Sequence, residues 1–571
     1  MLSAVKSKPA AFWATVVILV GSGVMLFVHL GTYALWDDES LTAMTARSVW
    51  RTGDTSAWVD DHNLLAYNHG LLLKGFYDRY SPPLQFYLLS PFIGRLGESA
   101  WVCRLPFAIC GLLCICLILR WMWRLELPAL VWWSAAVIIL SDASYFLFNR
   151  QCRYYALAML FSVAVAYCYE KWSNRRGSLI LLVLALVGLQ VSHYLDWAAV
   201  VACLVMDYLI WGRHRRAFRG WDWAKLILPQ MVVGAVVWSI WNPAARSLAI
   251  ASAGQVNRLS AAEYASTAVP FATLRWYHDY LILLRWNWRD MLESNFFIVP
   301  LLVACPVLYF WKKTTWLLRA PAALAVFIAA VTLLTTHPIK GPSDADIRYL
   351  SPLLPLGIGV AILTVWAMQP LKKPLRIILL CGAALSVFIA HSEPDASPIA
   401  ASVPIRFYHE LWKPQREPYT PVAEWINTHL TPGQTVYVQP NYMNYPLMFH
   451  AGKALYAWQL PDPPAPEYAS VSDALIQGRI APDYLIAFGP ATKSIDAARD
   501  QLALRGIHYA QVETIHVFWH DVYRPERIAR FFATVKPKPG EEVYIYQRLQ
   551  SAADGTNQTS LPTGRPTIPK P

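Results

Sequence analysis

The sequence predicts a mainly α polytopic membrane protein, with about 11 to 13 transmembrane helices and a C-terminal α/β domain outside the membrane. Three observations predict it. The 571 residues are 56% hydrophobic and only 15% charged, too apolar for an ordinary soluble chain of this length. The 26 Trp and 29 Tyr suit belts at membrane interfaces. Apolar runs of spanning length recur as far as residue 391, and beyond them proline-rich stretches and charges take over.

The formal net charge of +12 raises nucleic-acid binding as a reading. It is set aside because the basic residues cluster in short loops beside apolar runs, the pattern of loops retained on the cytoplasmic side. Lys6 and Lys8 precede the apolar stretch Phe12 to Leu30. That stretch is long, and no small-x-small cleavage site is evident before Trp36, so it reads as an uncleaved span rather than a signal peptide. The nine cysteines lie between Cys103 and Cys381, mostly inside apolar runs, with neither zinc spacing nor a disulfide framework.

The spans are expected at 12–31, 102–120, 129–148, 155–171, 178–194, 196–212, 224–241, 296–311, 316–336, 349–368 and 375–391. Between the first two, the segment 82–97 opens with Pro82-Pro83, is apolar for only about 13 residues and carries Arg95. Charge decides how to read it. If 82–97 is half-inserted, the basic loops Arg120–Arg124, Lys171–Arg176, Arg213–Arg219, Lys312-Lys313 and Lys372-Lys373 all fall inside; as a full span it would turn them all outward.

This topology sends the unusual polar residues to one outer face. Loops 32–101 and 242–295 lie there, with Arg150-Gln151-Cys152-Arg153, His193, Asp196 and the stretch His337 to Arg348. The domain reading is a membrane module over 1–391, an extracytoplasmic α/β domain over 392–550 and a disordered tail over 551–571 rich in Pro, Thr, Gly and Ser. In the α/β domain, Thr435–Val438, Tyr484–Ile486, Tyr509–Val512 and Val543–Tyr546 read as strands. Pro421–Leu430, Thr492–Leu504 and Arg524–Val535 read as helices.

Chemistry concentrates after the first span, at Trp36-Asp37-Asp38-Glu39. Three acids in a row at a membrane exit are costly unless they face water or react. The segment from Asp38 to Thr52 reads as an amphipathic helix in the interface, so capping explains one acid. A general base held at the membrane surface explains the cluster. Arg150 and Arg153 oppose the charge bias and should be paired or hold an anion, with snorkelling to headgroups as the alternative. Arg348, and more weakly Lys340, suit a phosphate near the membrane edge. His193 and Asp196 are candidates for an acceptor or a divalent metal ion.

On these residues the chain resembles the GT-C glycosyltransferases of bacterial membranes, the group of protein O-mannosyltransferase-like and lipid A aminoarabinose transferase-like enzymes. The resemblance rests on Asp38-Glu39 after the first span and on Ser81-Pro82-Pro83-Leu84-Gln85-Phe86-Tyr87. It rests also on Arg104-Leu105-Pro106, Arg150-Gln151-Cys152-Arg153-Tyr154-Tyr155-Ala156-Leu157, His193-Tyr194 and Arg348-Tyr349-Leu350. Ser81 stands where relatives often carry His, and Gln151 where many carry Glu. The resemblance implies a polyprenyl-phosphate sugar donor, an acceptor (glycan, lipid or protein) approached from the outer face, and Asp38 as the catalytic base, with Asp37 and Glu39 tuning it. Arg150, Arg153, Arg348 and Lys340 would then clamp the donor phosphate. A secondary transporter and a non-catalytic assembly partner are the alternatives. Transporters place their ionisable groups near the midplane and show internal repeats, and neither feature is present here.

Overall fold

The computed structural model describes residues 2–241 (save 61, 67–69, 71–72, 173–175 and 213–219), scattered residues between 284 and 309, and 315–334. It further describes 347–381 (save 370 and 379–380), 403–517 (save 415–416 and 490–491) and 542–549. Lys340, almost all of the loop 242–295, most of the expected spans 296–311 and 375–391, the helical pattern Arg524–Val535 and the tail lie outside the described residues.

Ten helices lead the chain: α1 (Leu2–Phe27), α2 (Asp37–Thr52), α3 (Leu84–Leu96), α4 (Ala100–Arg124), α5 (Ala129–Ser141), α6 (Ala143–Asn149), α7 (Tyr155–Lys171), α8 (Arg176–Ser192), α9 (Tyr194–Trp211) and α10 (Gly220–Ile240). Then come α11 (Trp316–Leu334) and α12 (Leu353–Ala367). Among the described residues, five helices are long and apolar enough to cross a membrane: Pro9–Phe27 of α1, then α4, α9, α10 and α11. Helices α5 and α6 are long and apolar enough only when taken together, and they are bent by 58° at their junction. Asp142 makes the bend: it leaves the helical conformation and its carboxylate accepts from Tyr145 N at 2.9 Å, starting a new helix inside one apolar run. Shorter apolar helices occupy Leu179–Ser192 and α12. The chain is a polytopic membrane protein.

Helix α3 has 13 residues, as the short apolar run between Pro83 and Gly97 requires. It packs along α2 at close range, because Gly94 leaves room for the Trp50 ring; a Cβ there would come within 2.0 Å of it. Helix α2 starts one residue before the sequence reading, on Trp36 as N-cap, and stops at Gly53, whose positive φ of 79° turns its N–H back to Val49 O. The expectation of an amphipathic helix in the interface is corrected: every residue from Asp37 to Val49 is buried. The polar side chains meet partners from elsewhere in the chain, Asp38 and Thr42 taking Arg153 and Arg47 taking Asp60 and Glu98.

Between α2 and α3 the chain makes two small ribbons, β1 (Trp58–Val59) with β2 (Asn63–Leu64), and β3 (Leu73–Lys74) with β4 (Tyr77–Asp78). The C-terminal part enters through α13 (Val403–Trp412) and α14 (Tyr419–His429) and builds a five-stranded sheet. Its strands are β5 (Thr435–Gln439), β6 (Leu455–Tyr456), β7 (Tyr484–Phe488), β8 (Tyr509–His516) and β9 (Glu542–Arg548), in the order β6-β5-β7-β9-β8. The first three are mutually parallel, and β9 runs antiparallel to β7 and β8. Alternation assigns the two faces. Val436, Val438, Ile486 and Phe488 share a core with Val422 and Ile426 of α14, while Tyr437, Leu485 and Ala487 pack with Ile495 and Leu502 of a helix over Thr492–Ala503.

The first of these cores is continuous with Leu35, Trp36, Leu41 and Met44. The sheet is therefore seated over α2 by shared apolar burial, through the short helix Asn444–His450. His450 Nε2 accepts from Leu35 N at 3.1 Å, and Asn63 Nδ2 donates to Ala454 O at 2.8 Å. Elsewhere in the membrane module, Asp207 of α9 takes two hydrogen bonds from Arg319 of α11, at 2.6 and 2.7 Å, and one from Tyr169 of α7. That three-helix link neutralises two charges inside the bundle.

Candidate functional site

The acids Asp37, Asp38 and Glu39 form the first turn of α2, where the helix dipole favours negative charge. Consecutive positions on a helix point about 100° apart, so the three carboxylates meet different partners. Asp37 Oδ1 accepts from Asp38 N at 2.8 Å. Glu39 turns inward and is fully buried. Its carboxylate receives Nε and Nη2 of Arg104 at 2.9 and 2.5 Å and Cys152 N at 2.7 Å, and it reaches back to Trp36 N at 3.4 Å. Arg104 spends its remaining donors on the carbonyls of Leu30, Tyr33 and Ala34. This is a saturated structural pair that fixes the chain leaving α1 against α4 and the Cys152 segment.

Asp38 faces the other way. Its Oδ2 is shared by Arg153 Nη2 at 3.2 Å and Arg348 Nη1 at 3.1 Å. Arg153 is also held by Thr42 Oγ1 at 3.1 Å, one turn further along α2. Its buried Nε–H has no partner among the described residues. Two guanidiniums at one carboxylate oxygen repel each other, and the Asp38 charge offsets that repulsion. Together with the neighbouring tyrosines it raises the Arg153 pKa above the usual arginine value, against the opposing effects of burial and Arg348.

Behind the arginines the rings stack. His193 lies parallel to Tyr154 (centroids 4.3 Å apart, planes 5° apart) and nearly parallel to Tyr349 (5.8 Å, 17°). The Arg153 Cζ stands 5.5 Å from the centre of the Tyr154 ring, and the Arg348 Cζ stands 5.4 Å from that of Tyr349. His193 Nδ1 is 2.9 Å from Oδ2 of the fully buried Asp196, three residues on. The same nitrogen accepts from Asp196 N at 3.4 Å and so caps the start of α9, while neither carboxylate oxygen of Asp196 has a hydrogen-bond partner among the described residues.

No family model and no curated protein matches this sequence. Solved structures do. ArnT from Cupriavidus metallidurans, solved bound to undecaprenyl phosphate, is similar with a TM-score of 0.52 and 14% identity over 94% of this chain and 98% of that one. The apo form of the same protein gives 0.51 and 14% over 86% and 95%. This chain has the GT-C fold. The architecture expected from the sequence, a helical membrane part followed by a sheet-containing part, is the one observed.

Within that GT-C fold the structure brings together Asp38, Arg153 and Arg348, and places the other sequence candidates apart. Arg150 turns away from Asp38: its Nη1 donates to the carbonyls of Met25 (2.8 Å), Leu26 (3.2 Å) and Val28 (2.9 Å), satisfying the C-terminal end of α1. Glu39 is committed to Arg104. His193 and Asp196 pair with each other, and no group of three or more His, Cys, Asp or Glu converges as a metal site among the described residues. Lys340 lies outside the described residues.

A cavity of about 100 Å³ opens on the Glu39 side of the acidic turn, lined among others by Tyr33, Trp36, Arg150, Gln151 and Glu410, and Asp38, Arg153 and Arg348 do not line it. Sequence reasoning missed Thr42, Tyr154 and Tyr349 as parts of the site. Each stands beside a candidate that it did name. Asp78 was missed too; its Oδ1 accepts from Tyr80 N and Ser81 N and shapes the turn into α3.

Proposed function

We propose that this chain is an integral-membrane glycosyltransferase. It moves a sugar from a polyprenyl-phosphate donor to an acceptor at the outer face of a bacterial inner membrane, with Asp38 as general base and the C-terminal sheet domain extracytoplasmic. The observation that carries this reading is the convergence of Arg153 and Arg348 on one oxygen of Asp38. A base for an acceptor hydroxyl and two donors for a phosphate stand within one hydrogen-bond length of each other. Such a reaction needs that pair at that spacing.

A sugar on a lipid phosphate is already activated, since phosphate leaves readily. The donor phosphate meets Arg153 and Arg348, which neutralise the charge that grows as the C1–O bond to phosphate breaks. Sharing the guanidiniums with the phosphate frees Asp38 to take the proton from the acceptor hydroxyl as its oxygen forms the new bond to C1. Prenyl phosphate leaves, and direct displacement inverts the anomeric centre. Glu39 and Arg104 do no chemistry in this scheme; they fix the turn that aims Asp38. The apolar helices supply a surface for the prenyl tail.

The test is Asp38→Asn in full-length protein that still folds, assayed for release of prenyl phosphate and sugar transfer, alongside the lipid-linked glycan profile of cells lacking the protein. Loss of transfer and accumulation of one prenyl-phosphate sugar are expected. Full activity of the Asn variant removes Asp38 from the mechanism.

A further inference from the structure

We infer that His193 is a positioning residue: sandwiched between Tyr154 and Tyr349, it sets the separation of the two guanidiniums that face Asp38. The inference rests on the functional reading above for its consequence, though its geometry stands by itself. Arg153 and Arg348 are far apart in the chain, on segments that need not stay in register. Each is followed at once by a tyrosine whose ring lies against one face of the same imidazole. The backbone therefore couples each guanidinium to one side of a ring stack. Asp38 Oδ2 ties the two arginines at one end, and the stack ties their neighbours at the other.

Thickness is the quantity that matters. Three flat rings in near-parallel contact define a spacing that aliphatic or amide side chains, with more rotamers and no face, do not reproduce. The start of α9 keeps the imidazole from rotating out of the stack: Asp196 N donates to Nδ1 at 3.4 Å, and the buried Asp196 carboxylate lies 2.9 Å from the same nitrogen. Two features argue against His193 as a ligand. Two tyrosine rings lie near-parallel to the imidazole, and one ring nitrogen is committed to Asp196. A buried carboxylate dedicated to a histidine far from any third ligand is a brace.

The test separates ring from charge. His193→Gln keeps a donor for Asp196 and removes the ring. The double variant H193F/D196N keeps a ring of similar thickness and removes the charge pair. Full-length protein in nanodiscs is titrated with a short-chain prenyl phosphate, and in parallel the unliganded protein is labelled with an arginine-specific dicarbonyl and read by mass spectrometry. Expected is binding about tenfold weaker for H193Q, since displacement of a positioning group by around an ångström costs up to a hundredfold, and binding within about threefold of the parent for H193F/D196N.

Labelling of Arg153 and Arg348 should rise in H193Q alone. If H193Q labels like the parent, or if the double variant binds as weakly as H193Q, the spacer idea is overturned. Should the parent itself bind no prenyl phosphate, the functional reading fails, and the labelling still judges the spacer. Tyr349→Leu replaces H193Q if that variant does not fold.

Discussion

Asp38 and Arg348 lie 310 positions apart in the chain and 3.1 Å apart in space. The carboxylate and the guanidinium hold each other in place, and the proposed mechanism gives each separate work. Their substitutions should fail differently. Asp38→Asn is expected to lower transfer by about 10²- to 10⁴-fold, the usual contribution of a general base. Prenyl-phosphate binding should be kept or tightened, because a negative charge leaves the anion site. Pre-steady-state transfer and equilibrium binding on the same preparation check this. Parallel loss of both would mean that Asp38 only supports the arginines.

Arg348→Lys and Arg153→Lys should raise the donor KM more than they change kcat. An ammonium cannot offer two parallel donors to carboxylate and phosphate together. Arg150→Ala is expected to behave oppositely. It strips the carbonyls of Met25, Leu26 and Val28 of their donor, so thermal stability should fall with the donor KM near its parent value. Donor titrations paired with unfolding curves separate the two classes. An Arg150 variant with a large donor KM and an unchanged melting curve would restore it to the phosphate clamp.

Breaking the Glu39–Arg104 pair from one side should destabilise by about 3–5 kcal/mol, since a buried charge is left without its partner. E39Q and R104M should each show that loss. The double variant E39Q/R104M should lose less than the two together, which a double-mutant cycle of unfolding free energies would read. Simple additivity would show that the two residues act independently.

Acidification should loosen the seat of the sheet domain on α2. Burial, with Arg104 nearby, pushes the His450 imidazole down to about 4. Its neutral Nε2 is the acceptor for Leu35 N. The folded pKa is below the unfolded one, so the contribution to stability is complete above about pH 6.5 and drains away as pH falls toward 4. The full loss is on the order of 3 kcal/mol. Melting curves between pH 4.5 and 7.5 should show a downward trend that His450→Gln, an acceptor without a titration, removes in difference from the parent. An identical pH trend in both proteins counts against it.

The membrane-spanning character and the alternating strands were legible because they rest on local patterns, apolar length and period two. So were Asp38, Arg153 and Arg348, polar groups in places where a bilayer penalises them. What stayed hidden depends on direction or on distant covering. Asp38 and Glu39 are adjacent letters, yet one helical step separates an acid shared by two arginines from one locked to Arg104. Arg150 and Arg153 sit in an irregular link between α6 and α7, which has no period to say which way each points. The burial of α2 comes from α3 and from the distant short helix Asn444–His450, and nothing in the α2 sequence announces the second cover. Strand β6 has two residues, too few to alternate.

Arg150 caps the carbonyls of α1, Arg104 is matched by Glu39, and Arg153 and Arg348 share Asp38. In a tally of loop cations used to orient a multipass chain, these four count as positive votes. Once folded, two carboxylates and the carbonyls at the end of α1 meet all four, and every one of these partners belongs to the stretch between Met25 and Glu39. The groups that receive these four cations are therefore synthesised before any of the cations themselves, so each arginine made later meets a partner that the chain already carries.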